Sequence, residues 1–235
     1  MENRKTMVLV FAGPNGSGKS TVTSMITNVG TYINADDIVR STGCDNLTAA
    51  QMAEKMRNEC IDNNKDFTFE TVLSTPRNIE LLKRAKEHDY FIKSVFVLTA
   101  SPQINIARVG IRKANGGHDV PKDKIISRYE RSLKLLPELI RLSDICNVID
   151  NTKTPFRIFS KKKETFRLWE NDNWKESAIR KLTEIDKFNE IHKVQPEKEP
   201  SLFSKSVQNA FSSKAAEINS NRPTPNIQKN NDIKK

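Results

Sequence analysis

A buried strand, a glycine-rich loop and a helix are predicted in direct succession near the start of the chain. Residues Met7 to Ala12 form a continuous apolar run, which is typical of a strand buried on both faces of a parallel sheet. The loop that follows, Gly13-Pro14-Asn15-Gly16-Ser17-Gly18-Lys19-Ser20, fits the pattern G-x-x-x-x-G-K-[S/T]. Three of the eight glycines of the chain lie in this loop. This order of elements indicates an α/β protein that binds the phosphates of a nucleotide.

The residue types of the loop suit that chemistry. Glycines let backbone N–H groups converge on an anion, and the N-terminus of the following helix adds a favourable dipole. Lys19 is expected to reach the β- and γ-phosphates, and the Ser20 hydroxyl is expected to bind Mg²⁺. The predicted ATP and phosphate contacts from the loop are Gly13, Asn15, Gly16, Ser17, Gly18, Lys19, Ser20 and Thr21. The predicted cofactors are therefore ATP and Mg²⁺. The alternative is a tight turn with a chance lysine.

Strands and helices alternate through residues 1–186. After the first strand, further strands are predicted at Thr31–Ile33, Asp66–Phe69, Tyr90–Leu98 and Cys146–Asp150. Helices are predicted from Lys19 towards Thr27, from Asn46, over Asn78–His88, over Pro102–Ala114 and from Asp123 to beyond Pro137. A hairpin across Lys161-Lys-Lys163 and a closing helix over Trp174–Ile185 complete the domain. This alternation predicts a P-loop NTPase with a parallel five-stranded sheet flanked by helices.

Polar residues follow the second and third predicted strands, where an open parallel sheet places its ligands. Asn34 and Asp36 follow the second strand, and Glu70 and Thr71 follow the third. A carboxylate beside the γ-phosphate can accept the proton of an attacking hydroxyl, so Asp36 is the predicted general base. Asn34, Glu70 and Thr71 are predicted to bind the second substrate, with a metal-bound water as an alternative partner for Glu70. The structural alternatives are a helix cap for Asp36 and a solvated strand end for Glu70.

Two predicted helices joined by a glycine pair carry arginines. Arg108 and Arg112 share one helix face, and Arg128 lies on the next helix. The Gly116-Gly117 loop between them suits a lid that closes over ATP. Arg112 and Arg128 are predicted to stabilise the transferring phosphoryl group, and Arg108 to bind phosphate. His118, beside the glycine pair, is a candidate substrate contact.

Charge and composition set the remaining expectations. The chain has 235 residues and a formal net charge of +10. Residues 187–235 hold nine Lys or Arg against five Asp or Glu and few apolar residues, which predicts a basic, disordered tail after a kinase domain of residues 1–186. Three scattered cysteines fit a reducing cytoplasm, which is therefore the expected compartment.

The chain contains no apolar run that approaches about 20 residues, the length of a membrane-spanning helix. No membrane partner is therefore expected.

Five strings in order resemble the zeta-toxin family, and more closely its bacterial branch often labelled predicted ABC-type ATPase. They are Ala12-Gly-Pro-Asn-Gly-Ser-Gly-Lys-Ser-Thr21, Ile33-Asn-Ala-Asp-Asp-Ile38, Phe69-Glu-Thr-Val-Leu-Ser74, Gly116-Gly-His-Asp-Val-Pro121 and Arg128-Tyr-Glu-Arg-Ser-Leu133. The resemblance implies ATP-dependent phosphorylation of a small-molecule hydroxyl, with UDP-N-acetylglucosamine as the best-known acceptor. It also implies an antitoxin protein as a partner.

The same resemblance implies roles for particular residues. Asp36 matches the aspartate that serves as the base in this family, and Glu70 matches the glutamate that contacts the acceptor. Arg112 and Arg128 match the lid arginines that bind phosphates. The well-known toxins do not, as a rule, carry the Gly-Gly-His-x-Val-Pro string, and relatives on this scaffold phosphorylate other hydroxyls, including that of a dinucleotide cofactor.

Two other functions fit the sequence. One is a polynucleotide or nucleoside kinase, but nucleic acid is not the expected partner because the lid region lacks aromatic residues interleaved with basic ones. The other is a non-catalytic ATP-binding regulatory module.

Overall fold

An eight-stranded sheet lies at the centre of the computed structural model, which describes residues 4–117, 119–188 and 190–194. In chain order the strands are β1 (Met7–Ala12), β2 (Thr31–Ile33), β3 (Phe67–Thr71), β4 (Phe91–Leu98), β5 (Ile145–Asp150), β6 (Phe156–Lys162), β7 (Thr165–Leu168) and β8 (His192–Lys193). Their order in the sheet is β2-β3-β1-β4-β5-β6-β7-β8. Strands β1 to β5 pair in parallel, which confirms the predicted five-stranded parallel sheet.

Seven α-helices are described. They are α1 (Lys19–Thr23), α2 (Ala35–Thr42), α3 (Asn46–Asp62), α4 (Arg77–Glu87), α5 (Pro102–Ala114), α6 (Lys122–Leu142) and α7 (Glu176–Thr183), and a 3-10 turn follows at Ile185–Lys187. Helix α6 continues through Pro137, as predicted. Within the described part of the chain, every helix is too short or too polar to cross a bilayer.

The sheet is larger than the five strands that the sequence predicts. The predicted hairpin, β6 and β7, pairs antiparallel with β5 and extends the same sheet, and β8 pairs in parallel with β7. The hairpin forms main-chain hydrogen bonds along the edge of β5 that would otherwise stay unpaired. Because β8 lies beyond Asp186, regular structure continues past the predicted domain boundary. The predicted disorder of the tail falls largely on residues 195–235, which lie outside the described residues.

The hydrophobic core lies between one face of the sheet and four helices. Strands β1, β3 and β4 contribute fully buried side chains such as Val10, Phe69 and Phe96. Helices α3, α4, α6 and α7 cover them with residues that include Ile61, Leu82, Leu136, Leu139 and Ile179. Burying one such side chain stabilises the fold by roughly 1.5–3 kcal/mol. This packing holds the carboxyl ends of the parallel strands in fixed positions.

Candidate active site

The phosphate loop and the polar residues at the ends of β2 and β3 meet at one edge of the sheet. In the parallel pair β1–β3, Phe11 lies opposite Glu70 and Ala12 opposite Thr71. The phosphate loop therefore begins beside the end of β3, close to Glu70. Strand β2 pairs with β3 on its other side and ends just before Asn34. The sheet order thus brings the loop, Glu70 and the start of α2 together.

Two glycines of the loop occupy positions that no other residue fits. Gly13 has φ +140°, and a Cβ atom there would lie 2.0 Å from the Val97 carbonyl oxygen. Gly18 has φ +88°, and its Cβ would lie 2.2 Å from Asn151 Nδ2. Both contacts are far inside van der Waals distance. The close approach of the Val97 backbone to Gly13 and of the Asn151 side chain to Gly18, together with the positive φ angles, therefore requires glycine at both positions.

Side chains from distant elements hold the loop in shape. Asn105 on α5 donates from Nδ2 to the Asn15 carbonyl at 2.7 Å, and Asn151 after β5 donates from Nδ2 to the Ser17 carbonyl at 2.8 Å. Arg128 on α6 donates from Nη1 to Asn15 Oδ1 at 3.3 Å. Asn105 and Asn151 are buried. The loop is thus shaped by the fold before a nucleotide arrives, which reduces the ordering cost of binding.

Lys19 is a half-buried cation at the start of α1. Its Nζ donates to the Pro14 carbonyl at 3.1 Å. Burial lowers the pKa of Lys19 to about 8, an effect that Glu70 and Asp36 partly offset and that Arg112 reinforces. A bound polyphosphate would stabilise the ammonium form and raise this pKa again.

A chain of hydrogen bonds connects the phosphate loop to the start of α2. Ser20 Oγ donates to Glu70 Oε2 at 3.2 Å, and the Tyr32 hydroxyl donates to Glu70 Oε1 at 2.8 Å. Asn34 Nδ2 donates to the Tyr32 hydroxyl at 3.0 Å. Burial, followed by the neighbouring Glu70, raises the pKa of Tyr32, so the phenol stays protonated as a donor. Both oxygens of the Glu70 carboxylate are thereby oriented.

Asp36 is not the N-cap of α2, so the alternative role of a helix cap does not apply to it. Asn34 is the N-cap, because its Oδ1 accepts from the Asp36 backbone N–H at 2.9 Å. Asp37 forms an ion pair with Arg40 one turn later. The Asp36 side chain is exposed and lines a cleft of about 420 Å³ that Ser20 and Glu70 also line. Asp36 therefore faces the space beside the phosphate loop.

The predicted lid is a helix, a loop and a helix. Arg112, near the end of α5, lines three spaces. They are the cleft of about 420 Å³ beside Asp36, the groove of about 290 Å³ over the phosphate loop, and a space of about 320 Å³ beside Gly116 and Gly117. We call the first the acceptor cleft and the second the nucleotide groove, after the roles that the sequence predicts for them. A Cβ at Gly117 would lie 2.7 Å from Arg112 Cγ. The loop thus packs directly on the Arg112 side chain. Arg112 stands where the nucleotide groove and the acceptor cleft join.

Arg108 lies deeper, over the phosphate loop. It lines the same groove as Lys19, and its Nη2 donates to the Thr152 carbonyl at 3.2 Å. Burial lowers the pKa of Arg108, and Asp150 partly offsets this. An arginine held in this way is oriented before a phosphate binds.

Most of the predicted site residues come together, and a few do not. The nucleotide groove and the acceptor cleft bring together Gly16, Gly18, Lys19, Ser20, Thr21, Asn34, Asp36, Glu70, Arg108 and Arg112. The Thr71 hydroxyl is used inside the fold, since it accepts from the Leu73 N–H at 2.9 Å and from Asn78 Nδ2 at 2.7 Å. His118 lies outside the described residues.

Sequence reasoning missed four residues of the site: Tyr32, Arg40, Asn105 and Asn151. Asn151 directly follows β5, so the rule that selected Asn34 and Glu70 would have found it. Tyr32 lies within a three-residue strand and looks like an ordinary strand aromatic. Asn105 is a polar residue within an otherwise apolar stretch of α5, which is a weak signal.

The site offers oxygen ligands for a hard cation. The Ser20 hydroxyl and the Glu70 carboxylate lie within hydrogen-bonding distance of each other, beside the groove that would hold the phosphates. Oxygen donors of this kind suit Mg²⁺, which is usually bound by a few protein groups together with substrate phosphates. Among the described residues, no group of three or more His, Cys, Asp or Glu could hold a metal by itself.

A larger cleft, of about 600 Å³, lies at the opposite edge of the sheet. Two of its lysines are used within the fold. Lys86 Nζ pairs with Asp144 at 2.7 Å, and the buried Lys161 donates to the Ile140 carbonyl at 2.8 Å. The phosphate loop is far from this edge, so the candidate active site is the cleft beside Asp36 and Glu70.

Known proteins resemble this chain in sequence and in fold. The family model described as Zeta toxin matches residues 43–173, a segment that begins after the phosphate loop and covers more than half of the chain. An uncharacterised protein of Haemophilus influenzae is 29% identical over 135 residues, which are 55% of this chain and 94% of that protein.

Two solved structures extend the comparison. One comes from the PezAT chromosomal toxin–antitoxin system of Streptococcus pneumoniae; it is 15% identical, covers 93% of this chain and 89% of its own, and has a TM-score of 0.48. The other is the AvrRxo1-ORF1:-ORF2 complex with ATP, which is 11% identical over 77% of this chain, with a TM-score of 0.58. This chain spans 64% of that second structure, and the likeness is one of fold.

Proposed function

Because the chain belongs to the zeta toxin family of P-loop kinases, we propose that it transfers the γ-phosphate of ATP to a hydroxyl of a nucleotide sugar such as UDP-N-acetylglucosamine. The observation that carries this proposal is the cleft in which Asp36 and Glu70 lie beside Ser20 of the phosphate loop. A carboxylate, a nucleotide groove and an adjoining open space are what hydroxyl phosphorylation requires.

Asp36 is the proposed general base. Its carboxylate is exposed in the acceptor cleft, while Asn34 caps α2 and Asp37 pairs with Arg40. It would accept the proton of the acceptor hydroxyl as that oxygen attacks the γ-phosphorus in line with the departing ADP oxygen. Glu70, oriented by Tyr32, would position the acceptor.

Three arginines and Lys19 are proposed to stabilise the negative charge on the transferring group. Arg112 lines both the nucleotide groove and the acceptor cleft. It therefore lies where negative charge would build up between the leaving ADP and the attacking hydroxyl. Arg108 and Lys19 line the nucleotide groove, and Arg128 contacts the loop through Asn15. His118 remains a predicted substrate contact.

Ser20 is proposed to hold Mg²⁺ together with the phosphates of ATP, with Glu70 beside it. When bound, the ion would neutralise phosphate charge and help to orient the γ-phosphoryl group. The Ser20–Glu70 hydrogen bond at 3.2 Å supports this assignment, because it places two oxygen ligands next to each other at the groove.

We also propose that the activity harms the cell and is restrained by an antitoxin protein. Membership of the zeta toxin family supports this. Induced expression in a bacterial host should then arrest growth, and Lys19→Ala should not. Growth arrest by both proteins would show that the effect does not come from phosphate transfer.

A mass-spectrometric assay tests the reaction. Purified protein and Mg-ATP are mixed with nucleotide sugars, nucleosides and dinucleotide cofactors, and Lys19→Ala serves as the control. We expect a nucleotide sugar to gain one phosphate with the native chain only. A phosphorylated nucleoside or dinucleotide instead would overturn the proposed acceptor, and ATP binding without any product would favour a regulatory module.

A further inference from the structure

Helix α2 places an arginine beside the proposed base. Asp36 and Arg40 are four residues apart on α2, so their side chains lie on the same face of the helix. Both side chains line the acceptor cleft. Both also line the space of about 320 Å³ beside Gly116 and Gly117, which we call the lid space. The proposed transfer reaction gives Arg40 no role.

The lid space continues the acceptor cleft on the side away from ATP. Asp36, Arg40 and Arg112 line both spaces and form the boundary between them. Of the described lining residues, the nucleotide groove shares Ser20 and Arg112 with the acceptor cleft but Arg112 alone with the lid space. An acceptor whose hydroxyl reaches Asp36 can therefore extend into the lid space without meeting the nucleotide.

The charges of the two spaces differ. The acceptor cleft balances the carboxylates of Asp36 and Glu70 against the guanidinium groups of Arg40 and Arg112. The lid space keeps both arginines but has Asp36 as the single carboxylate among its described lining residues, and the others are uncharged. An anionic group of the acceptor is therefore favoured in the lid space, away from Glu70.

Arg40 can bind an anion while it keeps its ion pair. Its Nη2 donates to Asp37 on the same helix. Because ion pairs between exposed side chains are weak, Asp37 does not prevent the guanidinium from binding a second anion. A guanidinium has five N–H groups in a planar fork, so a pair made through one nitrogen leaves donors for two oxygens of a phosphate.

We propose that Arg40 binds a phosphate group of the acceptor in the lid space while the acceptor hydroxyl lies against Asp36. This inference rests on the proposed kinase reaction and adds the residue that selects acceptors which already carry phosphate. Nucleotide sugars and dinucleotides belong to that class, whereas a free sugar or a nucleoside offers the hydroxyl but no anion for Arg40. Phosphate binding remote from the reacting hydroxyl would hold that hydroxyl at the base.

Steady-state kinetics on the full chain test this role. The acceptor is the phosphate-bearing compound that reacts in the mass-spectrometric assay, with UDP-N-acetylglucosamine tried first. Arg40→Gln should raise the KM of this acceptor about tenfold and leave kcat and the KM for ATP unchanged. Arg40→Lys should recover part of the loss, because it restores the charge without the fork.

Arg77→Gln is the matched control. Arg77 is another exposed arginine with a carboxylate partner, Glu54, and it lies outside the three spaces. Its substitution should leave the KM of the acceptor unchanged. An equal acceptor KM in the native chain and in Arg40→Gln would overturn the inference. A free sugar or nucleoside as the preferred acceptor would also overturn it, although the kinase reaction would stand.

A binding experiment decides the case in which no acceptor reacts. Inorganic pyrophosphate is titrated by calorimetry into the chain saturated with a non-hydrolysable ATP analogue, with equal Mg²⁺ in cell and syringe. We expect the native chain and Arg77→Gln to bind it alike, and Arg40→Gln about tenfold more weakly at an unchanged unfolding temperature. That result without any phosphorylated product would refute the kinase reaction and support the phosphate site. No binding to the native chain, or equal affinity in Arg40→Gln, would overturn the inference.

Discussion

Asp36 and Asp37 are neighbours in sequence with different surroundings. Asp37 pairs with Arg40, whereas the Asp36 side chain faces the acceptor cleft. Asp36→Asn should therefore lower kcat by about 10² or more and leave ATP affinity unchanged, because only proton transfer is lost. Steady-state kinetics and calorimetry with an ATP analogue measure the two effects. Asp37→Asn is the matched control and should retain most activity; a fully active Asp36→Asn would refute the base assignment.

Tyr32 acts on the site through Glu70. Tyr32→Phe removes the donor to Glu70 Oε1 at 2.8 Å, so kcat/KM for the acceptor should fall by up to about tenfold. The KM for ATP should change little. In a Glu70→Gln background the same substitution should add almost nothing, since the pair acts as one unit. Additive effects in this double-mutant cycle would show that Tyr32 acts independently of Glu70.

The pKa of Lys19, about 8 in the free protein, predicts a pH dependence of ATP binding. Below pH 8 the ammonium is charged both before and after binding, so the affinity is at its full value. Above pH 8 the free protein loses a proton that it must regain on binding, because bound phosphates raise this pKa. Affinity should then fall by up to about tenfold per pH unit.

Calorimetry with an ATP analogue between pH 7.5 and 9.5 measures this dependence. Heats recorded in two buffers of different ionisation enthalpy should reveal proton uptake near pH 8.5. Lys19→Met should bind weakly and with no pH dependence over this range. A native affinity that stays constant to pH 9.5 would contradict the lowered pKa.

At the scale of elements, the lid depends on the contact between its loop and α5. A Cβ at Gly117 would lie 2.7 Å from Arg112 Cγ and 2.9 Å from the Arg112 carbonyl oxygen. Gly117→Ala should therefore displace Arg112 and lower kcat by about ten- to a hundredfold, with little effect on thermal unfolding.

Gly110 on the same helix provides the control. A Cβ there meets nothing within 4 Å, so Gly110→Ala should keep full activity and stabilise the protein by about 0.5–1 kcal/mol. Kinetics and thermal denaturation of the two variants measure both outcomes. Equal activity in Gly117→Ala and Gly110→Ala would exclude a role of the loop in placing Arg112.

The elements themselves were largely predictable. The apolar run of β1 and the amphipathic pattern of α5 are local, and the structure reproduces both within a residue. Helix α1 is shorter than predicted, ending at Thr23. The sequence did not predict that β6 and β7 extend the main sheet. The sequence of a hairpin does not determine which strand of a sheet the hairpin pairs with, here β5.

At the scale of the whole molecule, the phosphate loop depends on residues far away in the chain. Asn151, 134 residues beyond Ser17, donates to the Ser17 carbonyl at 2.8 Å in a buried position. Asn151→Ala should leave that carbonyl without a partner and destabilise the protein by about 1–3 kcal/mol, with weaker ATP binding.

Thermal unfolding with and without an ATP analogue measures the effect. Asn147→Ala is the matched control on β5, because Asn147 Oδ1 is buried and has no hydrogen-bond partner among the described residues. Its truncation should cost less and leave ATP binding intact. A larger loss of stability in Asn147→Ala than in Asn151→Ala would contradict the anchoring role of Asn151.

The sequence by itself determined the phosphate loop, the α/β alternation and the residues at the strand ends, because each depends on neighbours within a few positions and on the common geometry of parallel strands. Only the tertiary structure decided that Asn105, Asn151 and Arg128 hold the loop, that Tyr32 orients Glu70, and that Arg157 stacks on Trp169. These contacts join residues brought together by packing and strand register, and local sequence patterns do not encode which distant side chains will meet.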